Sequence, residues 1–355
     1  MKAALLGSPG QPLEIREVEL AEPIGREVLV DVRASGICHS DVTAARHVTQ
    51  QGMPLLLGHE VAGVVRAVGP DVRGIAVGDH VVACEIRHCG HCDDCLLGRS
   101  YMCTRVDETE RGPAEGPRAA VDGTPVTQFS HIAGFAERIL LHENNLVVVP
   151  DDVPFEVAAV MGRGGVTGPG GPINPAQVRG GDTVPLVGCG RGGPSAIAGA
   201  AIAGARVVVA VDVVPEKLEL ARAFGATHTV NAAETDAVAA VREITAGVGV
   251  MHALECVGAK QTAFQALEMI REVGSAYLIG IQAPETVFEI NPFFDLLMPK
   301  KSLRMVYMGS STFRVDIPLY LEFWRQGRFP LDRLVGRRIR LGEINDPFER
   351  IGSDG

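Results

Sequence analysis

Four cysteines crowd into one short run: Cys89, Cys92, Cys95 and Cys103, spaced C-x2-C-x2-C-x7-C. Thiolates packed this closely suit a tetrahedral ion that takes sulfur ligands, most simply zinc. With every position filled by protein, such an ion staples a lobe and leaves no place for a substrate. Disulfides inside so short a run would be strained. A second set of donors lies upstream. Ser35-Gly36-Ile37-Cys38-His39-Ser40-Asp41 supplies a thiol, an imidazole, a hydroxyl and a carboxylate, and Leu57-Gly58-His59-Glu60 adds another imidazole and carboxylate. Taken singly, each segment equally describes a buried cysteine or a hydrogen-bonded histidine. Their order, followed by the four-cysteine run, favours a metal.

A third constellation binds nucleotide phosphates rather than metal. Gly188-Cys189-Gly190-Arg191-Gly192-Gly193 satisfies G-x-G-x-x-G, with Gly188, Gly190 and Gly193 as its glycines. An apolar strand precedes it, a helix through Ala196-Ile197-Ala198 follows, and the next strand, Arg206 to Val211, ends in Asp212. That frame is the dinucleotide-binding unit, with the acid placed to hold the adenosine ribose. A carboxylate there favours NAD over NADP, because it repels a 2′-phosphate. Lys217 is a further candidate ribose contact. Gly258 and Gly280 fall near strand ends, where backbone can approach a cofactor.

These groups need a scaffold of about two domains, which 355 residues allow. Charged residues are 21% and hydrophobic ones 46%, ordinary for a globular protein. A net charge of −10 argues against a nucleic-acid surface. No apolar run is long enough to span a membrane. The first residues lack the apolar core of a signal peptide, so the expected compartment is the cytoplasm. Glu27 to Arg33 alternates as a strand, and residues 104–128 read as a surface loop. Asp151-Asp152-Val153-Pro154 opens a helix. Beyond the glycine turn, β and α patterns alternate, which predicts a parallel sheet.

The order of motifs resembles the zinc-containing medium-chain alcohol dehydrogenases over nearly the whole chain. Its most specific parts are G-H-E-V-A-G-V-V at 58–65, V-G-D-H-V at 77–81 and the four-cysteine lobe. The resemblance implies an α/β protein: a Rossmann doubly wound parallel-sheet domain over 165–307, and a mostly β GroES-like catalytic domain, discontinuous over 1–164 and 308–355. It implies zinc, one structural and one catalytic, and NAD. Cys38 and His59 match ligands of the catalytic zinc, and Glu60 lies beside it. Asp41 matches the residue that orients the ligating histidine, Ser40 the hydroxyl that relays the alcohol proton, and His39 a residue near the cofactor pyrophosphate. Where some members end the relay in a histidine, this chain has Thr43. The expected substrate is a small alcohol or aldehyde, met in the cleft between domains, and the expected assembly a homodimer or homotetramer. Relatives that oxidise thiol–formaldehyde adducts share these motifs.

Several residues depart from the family pattern. Arg163 stands where the third catalytic zinc ligand, a cysteine, is expected, and a guanidinium cannot ligate zinc. Three accounts follow: Glu60 completes a Cys38, His59, Glu60 site; Arg163 pairs with Glu60 or Glu85 in a metal-free pocket, giving a catalytically impaired NAD-binding protein; or the chain is an altered version of an active parent. Glu85 itself points either into the pocket or to solvent. Residues 162–175 hold six glycines and three prolines, which predicts a loop or a badly broken helix. Pro185 falls in the expected central strand, where proline deletes a ladder bond. After Phe348-Glu349-Arg350 the family's further closing strand is not expected here.

Overall fold

The sheet that carries the first motifs is built from strands whose alternate residues turn inward. In the computed structural model, which describes residues 1–47 and 52–353, these strands are β1 (Glu27–Gly36), β2 (Glu60–Val68), β3 (His80–Ala83), β4 (Arg138–His142) and β5 (Leu146–Val148). They lie in the order β4-β1-β2-β3-β5. Val28, Val30, Val61, Val65, Ile139 and Leu141 fill the core between them. Removing side chains of this size from water stabilises the sheet by about 2 kcal/mol each. The register sets Gly36, the last residue of β1, against Glu60, the first of β2. Cys38 therefore leaves the sheet just beyond one strand, and His59 enters it just before the next.

Helix α1 (His39–His47) follows Cys38, with Asp41 in its first turn and Arg46 and His47 in its last, matching the helix dipole. The short helix α2 (Asp93–Leu96) lies in the four-cysteine lobe, and α3 (Phe155–Met161) packs on β1 and β2. Residues 104–128, expected as a surface loop, are partly folded. Ala119–Val121 pairs with Thr124–Pro125 and with Glu19–Leu20, and Ala119, Val121 and Val126 are buried. The reason is a charge network invisible in composition: Arg111 and Arg118 both donate to the buried Glu27 carboxylate.

Helix α4 (Gly164–Ile173), which runs through Pro169 and Pro172, corrects the loop or badly broken helix expected at 162–175. Propensity argues against it, but propensity describes an isolated helix. Four of its five glycines are buried, and another helix, α5 (Gly193–Ile202), lies against Gly168. A Cβ on Gly168 would collide with Ser195, and one on Gly199 with Pro169. Small residues on both faces permit this approach, and the packing offsets the intrinsic cost of Gly and Pro.

The second sheet is wholly parallel: β6 (Thr183–Val187), β7 (Val207–Asp212), β8 (His228–Asn231), β9 (Val250–Glu255), β10 (Ile270–Leu278) and β11 (Ser302–Met305). Its order is β8-β7-β6-β9-β10-β11, the doubly wound order with β6 at the centre. Helices α6 (Pro215–Ala223), α7 (Ala237–Ile244) and α8 (Lys260–Met269) connect the strands. Asp236 caps α7 by accepting from Val238 N and Ala239 N. Pro185 does sit in the central strand. Val187 O accepts from Cys256 N on the β9 side, and residues two apart face the same way. The missing Pro185 N–H therefore also faces β9, where pairing begins only at Leu186.

Two compact units result. One comprises residues 1–163, 312–318 and 332–355, and the other 164–311 and 319–331. Near the C-terminus α9 (Phe313–Arg325) and α10 (Asn345–Ser353) complete the helices.

Candidate metal centres and nucleotide turn

In the four-cysteine lobe the sulfurs converge. Cys92 Sγ lies 3.4 Å from Cys95 Sγ and 3.8 Å from Cys103 Sγ, and Cys89 Sγ lies 3.9 Å from Cys95 Sγ. Four sulfurs at the usual zinc–sulfur bond length stand about 3.8 Å apart, so the cluster fits zinc. Backbone N–H groups of Cys89, Cys92 and Arg105 point at these sulfurs at 3.3–3.4 Å and favour their thiolate form. All eight cysteines are free of disulfides.

The second centre joins Cys38, His59 and Glu60, whose donor atoms all lie within 4.8 Å of one another. Asp41 is its organiser. Fully buried, it accepts from Cys38 N at 3.0 Å, Gly58 N at 2.9 Å and His59 Nδ1 at 3.0 Å. A carboxylate only accepts, so His59 Nδ1 carries the proton and Nε2 faces Cys38. Ser40 Oγ lies 3.1 Å from Cys38 Sγ and 3.3 Å from His59 Nε2. Burial opposes charge on both ligands, yet each charges the other. With Asp41 behind it, His59 is pulled up to about 10, and the Cys38 thiol is held below its ordinary value. The Glu60 carboxylate folds over Gly36, where any Cβ would collide with its Oε2. Three donors of this kind are the usual protein share of a reactive zinc site, so the residues fit the ion.

Around this centre runs a second set of contacts. Arg163 NH1 donates to Glu85 Oε1 at 2.6 Å, and both side chains are only 15% exposed. Ser130 Oγ donates to Glu85 Oε2 at 2.9 Å. Of the two readings of Glu85, the structure adopts the inward one. The Phe129 ring meets the His59 ring edge-on, centroids 5.5 Å apart. Sequence reading missed Phe129 and Ser130. No motif marks them, because left-handed backbone at Ser130 (φ 51°) and His131 (φ 58°) aims them. Thr43, at the expected relay position, lies 3.3 Å from His39 Nδ1, and His39 itself is exposed.

In the second unit Gly188 takes φ +96°, and a Cβ there would meet Val257. A Cβ on Gly193 would strike Gly188 O, whereas one on Gly190 would meet nothing. The first and last glycines are thus demanded by the turn, and the middle one leaves its surface open to a ligand. Asp212 accepts from Cys189 N at 2.7 Å and from Val214 N at 3.0 Å. Each of its oxygens keeps a lone pair for a ribose hydroxyl. Lys217 stands exposed on α6, and Arg191 is exposed in the turn.

Comparison with known proteins agrees with this architecture. Residues 25–151 match the alcohol dehydrogenase GroES-like domain, and residues 193–323 match the zinc-binding dehydrogenase family. An NDMA-dependent alcohol dehydrogenase of Amycolatopsis methanolica is 36% identical over 354 residues, covering 99% of this chain and 95% of the relative. An S-(hydroxymethyl)glutathione dehydrogenase of Escherichia coli (strain UTI89 / UPEC) is 32% identical over 356 residues, covering 98% and 95%. Among solved structures, benzyl alcohol dehydrogenase from Acinetobacter calcoaceticus superposes with a TM-score of 0.91 at 32% identity, covering 100% of this chain and 96% of that one. The chain belongs to the zinc-containing medium-chain alcohol dehydrogenase family. It is a zinc-dependent, NAD-linked oxidoreductase of alcohols.

Proposed function

We propose that this chain oxidises a small alcohol with NAD, or reduces the matching aldehyde, with Cys38, His59 and Glu60 holding the catalytic zinc. The observation that carries the reading is the convergence of those donors under the Ser40 hydroxyl. Zinc, when bound, supplies a Lewis acid that lowers the pKa of an alcohol, and NAD accepts the hydride. Asp41 holds the His59 ring and its tautomer. Ser40 takes the proton of the substrate hydroxyl and passes it outward. Cys89, Cys92, Cys95 and Cys103 hold the structural zinc. In the nucleotide unit, Gly188, Gly190, Gly193 and the N-terminus of α5 take the pyrophosphate with His39, and Asp212 and Lys217 take the ribose. The corresponding domains are a catalytic one, 1–164 with 308–355, and a cofactor domain between.

The polar pair Glu85–Arg163 favours a substrate with a polar group over a purely apolar one. NADH formation on ethanol, on benzyl alcohol and on formaldehyde with a thiol tests the reading. Turnover on one of them supports it, and a thiol requirement selects the thiol–formaldehyde class. NAD binding with no turnover on any selects instead an impaired binding protein, the reading that Arg163 favours.

The assembly is read as a homodimer or homotetramer built on the outer edge of the parallel sheet. Phe294, Leu297, Met298 and Met305 stand exposed at or near the edge strand β11. Apolar groups of this size along an edge mark a contact surface, and sedimentation of the purified protein reads the state. Among the described residues no helix is long and apolar enough to cross a membrane. Eight free thiols fit a reducing cytoplasm, and cell fractionation checks that placement. The net charge gives no footing for nucleic acid.

A further inference from the structure

Arg163 brings a permanent positive charge to the wall of a centre made of metal donors. It follows the C-terminal end of α3, the helix that packs on β1 and β2. Gly162 is pinned there, since a Cβ on it would strike Ala83 O. The guanidinium is then fixed by Glu85, and Glu85 by Ser130, each carboxylate oxygen serving one partner. Ser130 in turn follows Phe129, whose ring rests on His59. Five residues thus form one connected wall, with little freedom for the cation to withdraw.

We propose that the Arg163–Glu85 pair sets how much zinc the Cys38, His59, Glu60 centre holds: Arg163 repels the metal and Glu85, held by Ser130, offsets that repulsion. The inference rests on the reading of those three residues as zinc ligands. A divalent ion feels a fixed cation twice as strongly as a proton does, and a half-buried site screens it poorly. The two zinc sites of the molecule therefore differ in affinity, with the four-thiolate lobe tight and this centre weak.

Competition between the full-length protein and a chromophoric chelator for zinc alone tests this, with the lobe as internal reference. Arg163→Gln is expected to tighten the weaker site on the order of tenfold to a hundredfold. Arg163→Lys, which keeps the charge but loses the fork, stays within about threefold of the parent. Glu85→Gln shifts affinity the other way, and Ser130→Ala does so more weakly. Opposite signs for the two partners separate a charge effect from lost packing, which would move both the same way. Shifts of one sign, or a Lys variant that tightens like the Gln variant, overturn the proposal. A second zinc bound equally by all variants overturns it while leaving the ligand assignment standing. No second zinc in any folded variant, Arg163→Gln included, overturns the assignment and the proposal together.

Discussion

The two candidate metal centres of this molecule are built in opposite ways. The lobe takes all its ligands from one short run, Cys89 to Cys103, with turns that carry the sulfurs inward. The other centre is assembled at a distance: Cys38 beyond one strand, His59 before another, and Asp41 bonded to both segments. A local site survives changes elsewhere in the chain. An assembled site depends on every contributor, and here one neighbour, Arg163, brings a charge paired with Glu85. The same fold can therefore keep its staple intact while its reactive centre is retuned.

The sharpest way to break the comparison is to remove a lobe ligand. Cys103→Ser leaves three thiolates and should lose the tight zinc. Structural zinc contributes on the order of 10 kcal/mol where it organises a small element. The expected outcome is one zinc fewer per subunit and a large fall in melting temperature, measured by elemental analysis and calorimetry. Unchanged stability at full zinc loss would mean the lobe is an ornament rather than a staple.

What the sequence disclosed follows the same division. The lobe was legible because its ligands are contiguous and their spacing is itself geometry. Cys38, His59 and Asp41 could be named from motif order and family resemblance, though not their hydrogen bonds. The Arg163–Glu85–Ser130 wall was legible only as a question. Its members lie 78 and 45 residues apart, and the aim of Ser130 depends on left-handed backbone that no pattern announces. Helix α4 was misread for a related reason. Counting glycines and prolines prices the helix alone, whereas burial of Gly168 and Gly199 in a helix–helix contact decides it. Asp212 was legible as an acid at the end of β7, but its bonds to Cys189 N and Val214 N were not.

A smaller change sharpens the comparison from the other side. Asp41→Asn keeps the shape but replaces one acceptor oxygen with a donor. Gly58 N and His59 Nδ1 share one Asp41 oxygen and Cys38 N uses the other, so the amide leaves either Cys38 N, or Gly58 N together with His59 Nδ1, without an acceptor. Loss of such an outer contact typically weakens metal binding or activity about tenfold to a hundredfold. The expected outcome is weaker zinc at the assembled centre, seen by chelator competition, with the lobe untouched. An equal loss at both sites would show that the fold as a whole had failed.

The smallest effect at neutral pH concerns the frame that carries both centres. His142 is buried, and Asn144 N donates to its Nδ1, so that nitrogen is unprotonated. Burial and the nearby Arg26 push its pKa down to about 4. A base depressed in this way binds fewer protons folded than unfolded. Its contribution to stability is complete above about 6.5 and fades as pH falls toward about 4. Glu27 acts in the same direction at lower pH. Burial works against its charge, but Arg111 and Arg118 outweigh that and hold it below the ordinary carboxylate value. Its contribution is complete above that ordinary value and is lost as pH falls through the depressed one. Denaturant unfolding should then show stability declining steadily as pH falls below about 6.5. His142→Gln, which can still accept from Asn144 N, should flatten the upper part of that decline and leave the lower part, where Glu27 titrates. A decline unchanged by His142→Gln would assign the upper limb to other groups.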